Sequence, residues 1–178
     1  MLKRIVWKNG KVISLKLRDD LYTLVQMREN HYLQFFKISQ PHDEWNGIDL
    51  SKVDTLFFQY AATCVFKGLA SKVVKKVTVD HKPAQNVMLS AIIGYSYCAD
   101  LIELTGSQEP HEGTVIKHNL SIEEDLDLIY KYELSGMIGN PDKLKNRLLN
   151  FFENGINWDE SKSFLFKGIP LPKPEEKS

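Results

Sequence analysis

Apolar and polar positions alternate most clearly in residues 11–38, KVISLKLRDDLYTLVQMRENHYLQFFKI, where runs of β-forming residues are cut at regular intervals by turn formers. In the first run Ile13, Leu15 and Leu17 alternate with Ser14, Lys16 and Arg18, the period of two that sends apolar side chains to one sheet face and polar ones to the other. Arg18-Asp19-Asp20 ends that run. In the second, Tyr22, Leu24 and Gln26 face one way and Thr23, Val25 and Met27 the other, and Glu29-Asn30-His31 turns the chain before a third run over residues 32–38. The pattern predicts a three-strand antiparallel meander. Strands of about six residues with short loops need a covering layer, which the rest of the chain must supply.

Ahead of the meander, Ile5, Val6 and Trp7 within residues 2–8 precede Asn9-Gly10, a hairpin dipeptide, and predict a fourth strand. Beyond it, residues 39–44 are turn-rich and acidic, and residues 45–50 continue as a loop expected to drop Trp45 onto the core. Residues 55–66, TLFFQYAATCVF, are the most apolar run and predict a central strand buried on both faces; Ala61-Ala62 and the run's length leave a helix as the alternative. Residues 67–82 hold Lys67, Lys72, Lys75, Lys76 and Lys82 among Val73, Val74, Val77 and Val79, which fits an edge strand guarded by lysines better than a binding patch. Residues 87–104 predict one or two further strands with Gly94 at a bulge or close approach, and residues 105–113 an exposed loop.

From Ser121 the period changes. Ser121-Ile122-Glu123-Glu124 has the form of a capping box, with the Ser hydroxyl accepting from the third helical amide and Glu124 reaching back. Ile122, Leu126, Ile129, Tyr130 and Leu134 then form one stripe on a helix of about four turns. Residues 135–140 end it, and Asn140-Pro141-Asp142 starts a second helix whose buried face is Leu144, Leu148, Phe151 and Phe152 and whose stop is Asn154-Gly155. Trp158 and Phe164-Leu165-Phe166 are apolar enough to dock on the body, and residues 170–178, PLPKPEEKS, are expected to be an extended, frayed tail. The predicted architecture is α+β and a single domain over residues 1–178. It comprises a bent antiparallel sheet or partly open β-barrel over residues 2–118, a helical pair over residues 119–155 and an extension over residues 156–178.

Composition fits that picture, since 43% hydrophobic residues in 178 supply a sizeable core. Lys plus Arg and Asp plus Glu are both 23, so the formal net charge of zero gives no bulk attraction to nucleic acid or to a membrane surface. The opening residues MLKRIVWKNGK lack the apolar run of a signal peptide, and no stretch reaches the ~20 apolar residues of a membrane span, so the expected compartment is the cytoplasm. Cys64 and Cys98 sit in apolar runs and are expected to be buried thiols. The five histidines are scattered without zinc-ligand spacing, His111-Glu112 lacks a second histidine, and phosphate-loop, dinucleotide and nucleophile-elbow motifs are missing. No catalytic residue, metal or cofactor is therefore expected. Tyr32, Phe35 and Phe36 share a strand as in a base-stacking platform, but only Lys37 is basic nearby, and core packing accounts for them better.

The segments WKNGKVISLKLRDDLYTLVQM, YLQFF and EWNGIDL followed by DTLFFQYAA resemble, over about residues 5–70, the immunity protein 26 family of bacterial polymorphic toxin and contact-dependent inhibition systems. The resemblance implies a largely β fold and a small cytoplasmic protein that binds a cognate toxin domain and blocks it by non-covalent occlusion. Many such toxins are nucleases with basic grooves, which makes the acidic positions the candidate toxin-binding set. These are Asp19, Asp20, Glu29, Asp43 and Glu44 with Trp45, followed by the helix-start carboxylates Glu123, Glu124, Asp125 and Asp127. For any one of them, a solvated turn or complementation of a helix dipole is the plainer reading. The resemblance does not reach the helical pair or WDESKSFLFKG. The alternative function is a nucleic-acid-binding β-barrel module using the lysines of residues 67–82 and the aromatics near Tyr32, which the neutral balance of charge disfavours.

Overall fold

The computed structural model describes residues 5–29, 31–91, 99–104 and 113–175. Its strands are β1 (Val12–Arg18), β2 (Leu21–Met27), β3 (Tyr32–Gln40), β4 (Thr55–Ala61), β5 (Ala70–Val74), β6 (Val87–Ser90), β7 (Asp100–Leu104), β8 (Gly113–Lys117) and β9 (Met137–Ile138). Its helices are α1 (Thr63–Lys67), α2 (Ile122–Lys131), α3 (Pro141–Asn154) and α4 (Glu160–Leu165). The fold is α+β, as the sequence predicts. No helix among the described residues is long and apolar enough to cross a membrane. The chain divides into two compact units, Met1–Ala84 with Ile138–Leu149 and Gln85–Met137 with Asn150–Ser178. Strands β6, β7 and β8 of the second unit form a sheet of their own.

In the first unit the strand order is β5-β1-β2-β3-β4-β9, and the predicted meander is its centre. Every antiparallel pairing from β5 through β4 carries a register shift, and each such bulge bends and twists the strands around it. The pairings Val12↔Gln26, Ser14↔Leu24 and Gln26↔Gln34 put these residues and Phe36 on one face. Ile13↔Val25, Val25↔Phe35 and Phe35↔Phe57 define the other. Both faces are covered. On the first, Val12, Leu24 and Phe36 pack with Trp45 and Leu50 from the loop after β3 and with Val77 and Val79 from the segment after β5. On the second, the Phe35 and Phe57 rings stack at 4.4 Å and the Arg147 guanidinium of α3 lies 3.7 Å over Phe57.

Several expectations change in detail. Residues 5–8 lie in no strand; Val6 is exposed, and the Trp7 indole N–H donates 2.7 Å to Arg28 O. Gly10 does make the turn, at φ 77°. The run 55–66 is strand only to Ala61; α1 follows, and its helical spacing buries Val65 and Phe66 while exposing Cys64, which corrects the buried-thiol expectation there. Cys98, Gly94, His111 and residues 105–112 lie outside the described residues. Residues 67–82 do supply an edge strand, β5, with Lys72 exposed.

In the second unit Leu89 and Leu101 of its sheet pack with Leu120, Ile129 of α2, Leu134, Leu165 of α4 and Phe166. The Ser121 hydroxyl caps α2 by accepting from Glu124 N at 3.2 Å, but Ser121 N donates in return to the Asp125 carboxylate at 3.1 Å rather than to Glu124. That inward turn leaves Asp125 non-helical at φ −124°. Asn140 caps α3 by accepting from Asp142 N at 2.8 Å, and Leu144 and Leu148 are fully buried, whereas Phe151 and Phe152 are only half-buried. α4, capped by Asp159, has no counterpart in the predicted elements; it turns Leu165 inward and leaves Phe164 exposed. The tail, expected to fray, is tied to the body as far as Glu175.

Leu148→Ala removes a fully buried side chain and should lower the unfolding free energy by about 2–5 kcal/mol in a urea melt. A loss below about 0.5 kcal/mol would mean that this face of α3 is not packed.

Candidate functional site

The loop-covered face of the first unit carries two polar networks. Ser14, mid-strand in β1 and fully buried, donates 2.6 Å to Asp43 Oδ1, and the Trp45 indole N–H donates to the same oxygen at 2.8 Å and to Ser14 Oγ at 3.0 Å. Ser71 of β5 donates to Asp43 Oδ2, while the Lys72 ammonium donates to the Asp43 backbone carbonyl and stands 3.5 Å from its carboxylate. The loop after β3 is thereby fastened to two strands. Burial opposes ionisation of Asp43 more than any single partner favours it, but the hydrogen bonds from Ser14, Ser71 and Trp45 together with the charge of Lys72 outweigh it and hold the carboxyl below its ordinary value of 3.8.

The second network is centred on Asp80. Gln26 of β2 pairs with its backbone in both directions, Nε2 donating 2.7 Å to Asp80 O and Oε1 accepting 2.8 Å from Asp80 N. Gln34 of β3 donates 2.8 Å to Asp80 Oδ2, and Lys82 N donates 2.9 Å to Oδ1. Arg28 donates to Gln34 Oε1 at 2.9 Å, to Asp80 O at 2.8 Å and to Lys82 O. Here too burial is the largest single influence and raises the pKa, and the Lys82 amide, Gln34, and the charges of Lys82 and Arg28 reverse it, leaving Asp80 lowered.

The ten candidate positions do not form one patch. Asp19 pairs with Lys16 at 2.8 Å and Asp20 with Arg18 at 2.6 Å, so the exposed β1–β2 turn is charge-balanced. Tyr22↔Gln40 pairing brings the loop of Asp43 and Glu44 to the same end of the sheet. Glu29 lies in the β2–β3 turn at the opposite end, a strand length of roughly 20 Å away, and accepts from Asn9 at 3.1 Å. Trp45 is only 2% exposed and Asp43 faces inward, whereas Glu44 between them is exposed. In the second unit Glu123, Glu124 and Asp127 are exposed. The Asp125 side chain is covered by its immediate neighbours although it lies at the molecular surface; the hydrogen bond from Lys117 at 2.6 Å, and then the Ser121 amide, hold its carboxyl low.

Sequence reasoning missed Ser14, Gln26, Gln34, Arg28 and Asp80. The available signal was the kind of polar residue: the uncharged Ser14, Gln26 and Gln34 are buried, whereas the charged Lys16, Arg18 and Lys37 on the same strands are exposed. Among the described residues no group of three or more His, Cys, Asp or Glu is placed to hold a metal ion. Tyr32, Phe35 and Phe36 are at most 6% exposed, which leaves them no face for stacking a base.

Over residues 2–170 the chain matches the family model described as Domain of unknown function (DUF8309). Searches of curated proteins and of solved structures returned no match. Nothing in these comparisons links the chain to the immunity protein 26 family.

Asp43→Ala leaves three donors facing a missing acceptor and should cost about 2–3 kcal/mol of stability. Because Asp43 and Asp80 are lowered in the folded state, the stability they contribute is complete above the unfolded value near 3.8 and is lost as pH falls through their folded values. Urea melts across that acid range should show the loss in the parent protein and a smaller one in Asp43→Ala.

Proposed function

The chain belongs to the DUF8309 family, and we propose that it is a non-catalytic binding protein that neutralises a cognate toxin domain, with nucleases the favoured class, by occluding it in the bacterial cytoplasm. The resemblance over residues 5–70 supplies the class of function. The observation that carries the reading is Glu44, an exposed carboxylate between two fastened neighbours, Asp43 and Trp45. A loop already fixed on its sheet loses little conformational entropy on docking, so its contacts are not spent on ordering it. A carboxylate fixed on such a loop suits a cationic protein surface, where complementary charge chiefly speeds capture. Glu44 is the primary candidate, with Asp19 and Asp20 of the ion-paired turn beside it at the same end of the sheet, and Glu123, Glu124 and Asp127 are the second. Asp43, Trp45 and Asp125 support neighbouring contacts from inside. The burial of Tyr32, Phe35 and Phe36 weighs against a nucleic-acid module.

Co-expression with the toxin domain encoded beside this chain should restore growth, and purified proteins should associate. Glu44→Lys should leave stability within about 0.5 kcal/mol, as for an exposed loop residue, and slow association several-fold, more at low salt. Absence of both rescue and binding would overturn the toxin reading. Full protection with an unchanged association rate would remove the Glu44 loop from the interface and direct the same charge reversal to Glu123, Glu124 and Asp127.

A further inference from the structure

Residues 169–174 read Ile-Pro-Leu-Pro-Lys-Pro. Each proline fixes its own φ near −65°, and each residue before a proline is kept out of the α region. Ile169, Leu171 and Lys173 are therefore held in extended backbone, and the prolines between them at a φ that suits the polyproline II helix. Their burial repeats with the period of three that belongs to that helix: Ile169 and Pro172 are half-buried, while Pro170, Leu171, Lys173 and Pro174 are exposed.

The rib is fastened through its backbone, which leaves Pro170, Leu171, Lys173 and Pro174 exposed. At one end Ile169 N donates 3.1 Å to Phe166 O and the Tyr130 hydroxyl donates 2.9 Å to Pro170 O; at the other, Glu175 N donates 2.8 Å to Gly155 O. The second clamp requires glycine, because Gly155 has φ 73° and a Cβ there would meet Glu175 O at 2.8 Å. Leu171 is 60% exposed, a large apolar side chain held in water on a stiff backbone.

We propose that residues 170–174 are a preordered docking ligand for a partner protein that carries an aromatic-lined proline-recognition groove with an acidic rim. The inference does not depend on the toxin reading. Such grooves grip ridges of side chains three residues apart. Here one ridge is Leu171 with Pro174 and the next is Pro170 with Lys173, so the partner needs a pocket shaped for leucine where many proline ligands place a second proline. Lys173 supplies the charge that an acidic rim complements, and Glu175 just beyond requires that rim to end before it. With the segment already ordered, docking avoids most of the entropy cost that a disordered proline-rich tail meets.

The test uses the full chain labelled with nitrogen-15 and titrated with a panel of purified SH3 and WW domains, which present aromatic-lined grooves. Before titration the Leu171 and Lys173 amides should show restricted motion and couplings of extended backbone. At least one domain should then shift those amides with a dissociation constant of about 10–100 µM. Leu171→Ala and Lys173→Glu should each weaken that binding about tenfold, and both keep every X-Pro constraint and alter only exposed side chains, so thermal unfolding should not move. Amides that are mobile on the picosecond to nanosecond scale, resonances that no domain shifts, or binding that both substitutions leave unchanged would each overturn the proposal.

Discussion

Two carboxylates pressed against the strands, Asp43 and Asp80, are what allow loops rather than helices to cover one face of the six-stranded sheet. A helix satisfies its own backbone, whereas a loop brings amides and carbonyls that must find partners once buried. Gln26 answers this for Asp80 in both directions, and Arg28 takes the carbonyls of Asp80 and Lys82. Once these polar groups are matched, Trp45, Leu50, Val77 and Val79 can reach the sheet and complete the apolar cluster around Phe36. Removing the polar matches would expose apolar surface as well as break hydrogen bonds, so the two contributions act together.

The same device recurs in the second unit, where Asp125 departs from helical backbone angles and its carboxylate accepts from Lys117 and Ser121 N. In all three carboxylates several fixed donors outweigh the cost of covering an ion, which burial alone would push toward the neutral acid. This divides the acidic residues of the chain into two kinds. Asp43, Asp80 and Asp125 are consumed by internal donors, while Asp19, Glu44, Glu123 and Asp127 remain at the surface. Counting acidic residues along the chain cannot separate these kinds, because position in a turn is common to both.

The strands were legible wherever charged residues marked the solvent side, as with Lys16 and Arg18 in β1, and helix starts were legible where a cap has a chemical signature, as at Ser121 and Asn140. The burial of Ser14, Gln26 and Gln34 was not legible from period-two alternation, which assigns any polar residue to water and cannot see a loop folding over that face. The switch from β4 to α1 inside one apolar run was ambiguous for a related reason: Ala61-Ala62 permits either state, and tertiary packing of Val65 and Phe66 decides. β9, with two residues, has no periodicity to read. Composition makes residues 170–175 extended, but what ties them to the body, bonds to Tyr130 and Gly155 far away in sequence, leaves no mark in the composition. Among the candidate site residues, Trp45 was legible as a core residue, and the same anchoring that buries it fixes Glu44 outside.

That adjacency has a consequence for how such a surface can change. In the 43–45 loop the anchoring side chains and the exposed one occupy consecutive positions, so a charge can be altered at Glu44 without touching the donors that hold Asp43. Exposed loop positions contribute little to stability, whereas the buried acceptor contributes through every donor aimed at it. Substitutions can therefore accumulate at Glu44 while the fold stays fixed by the residues on either side of it. The residues that build the loop and the one it presents are thus separate, and the separation comes from hydrogen bonds that β1 and β5 make to the loop at Asp43.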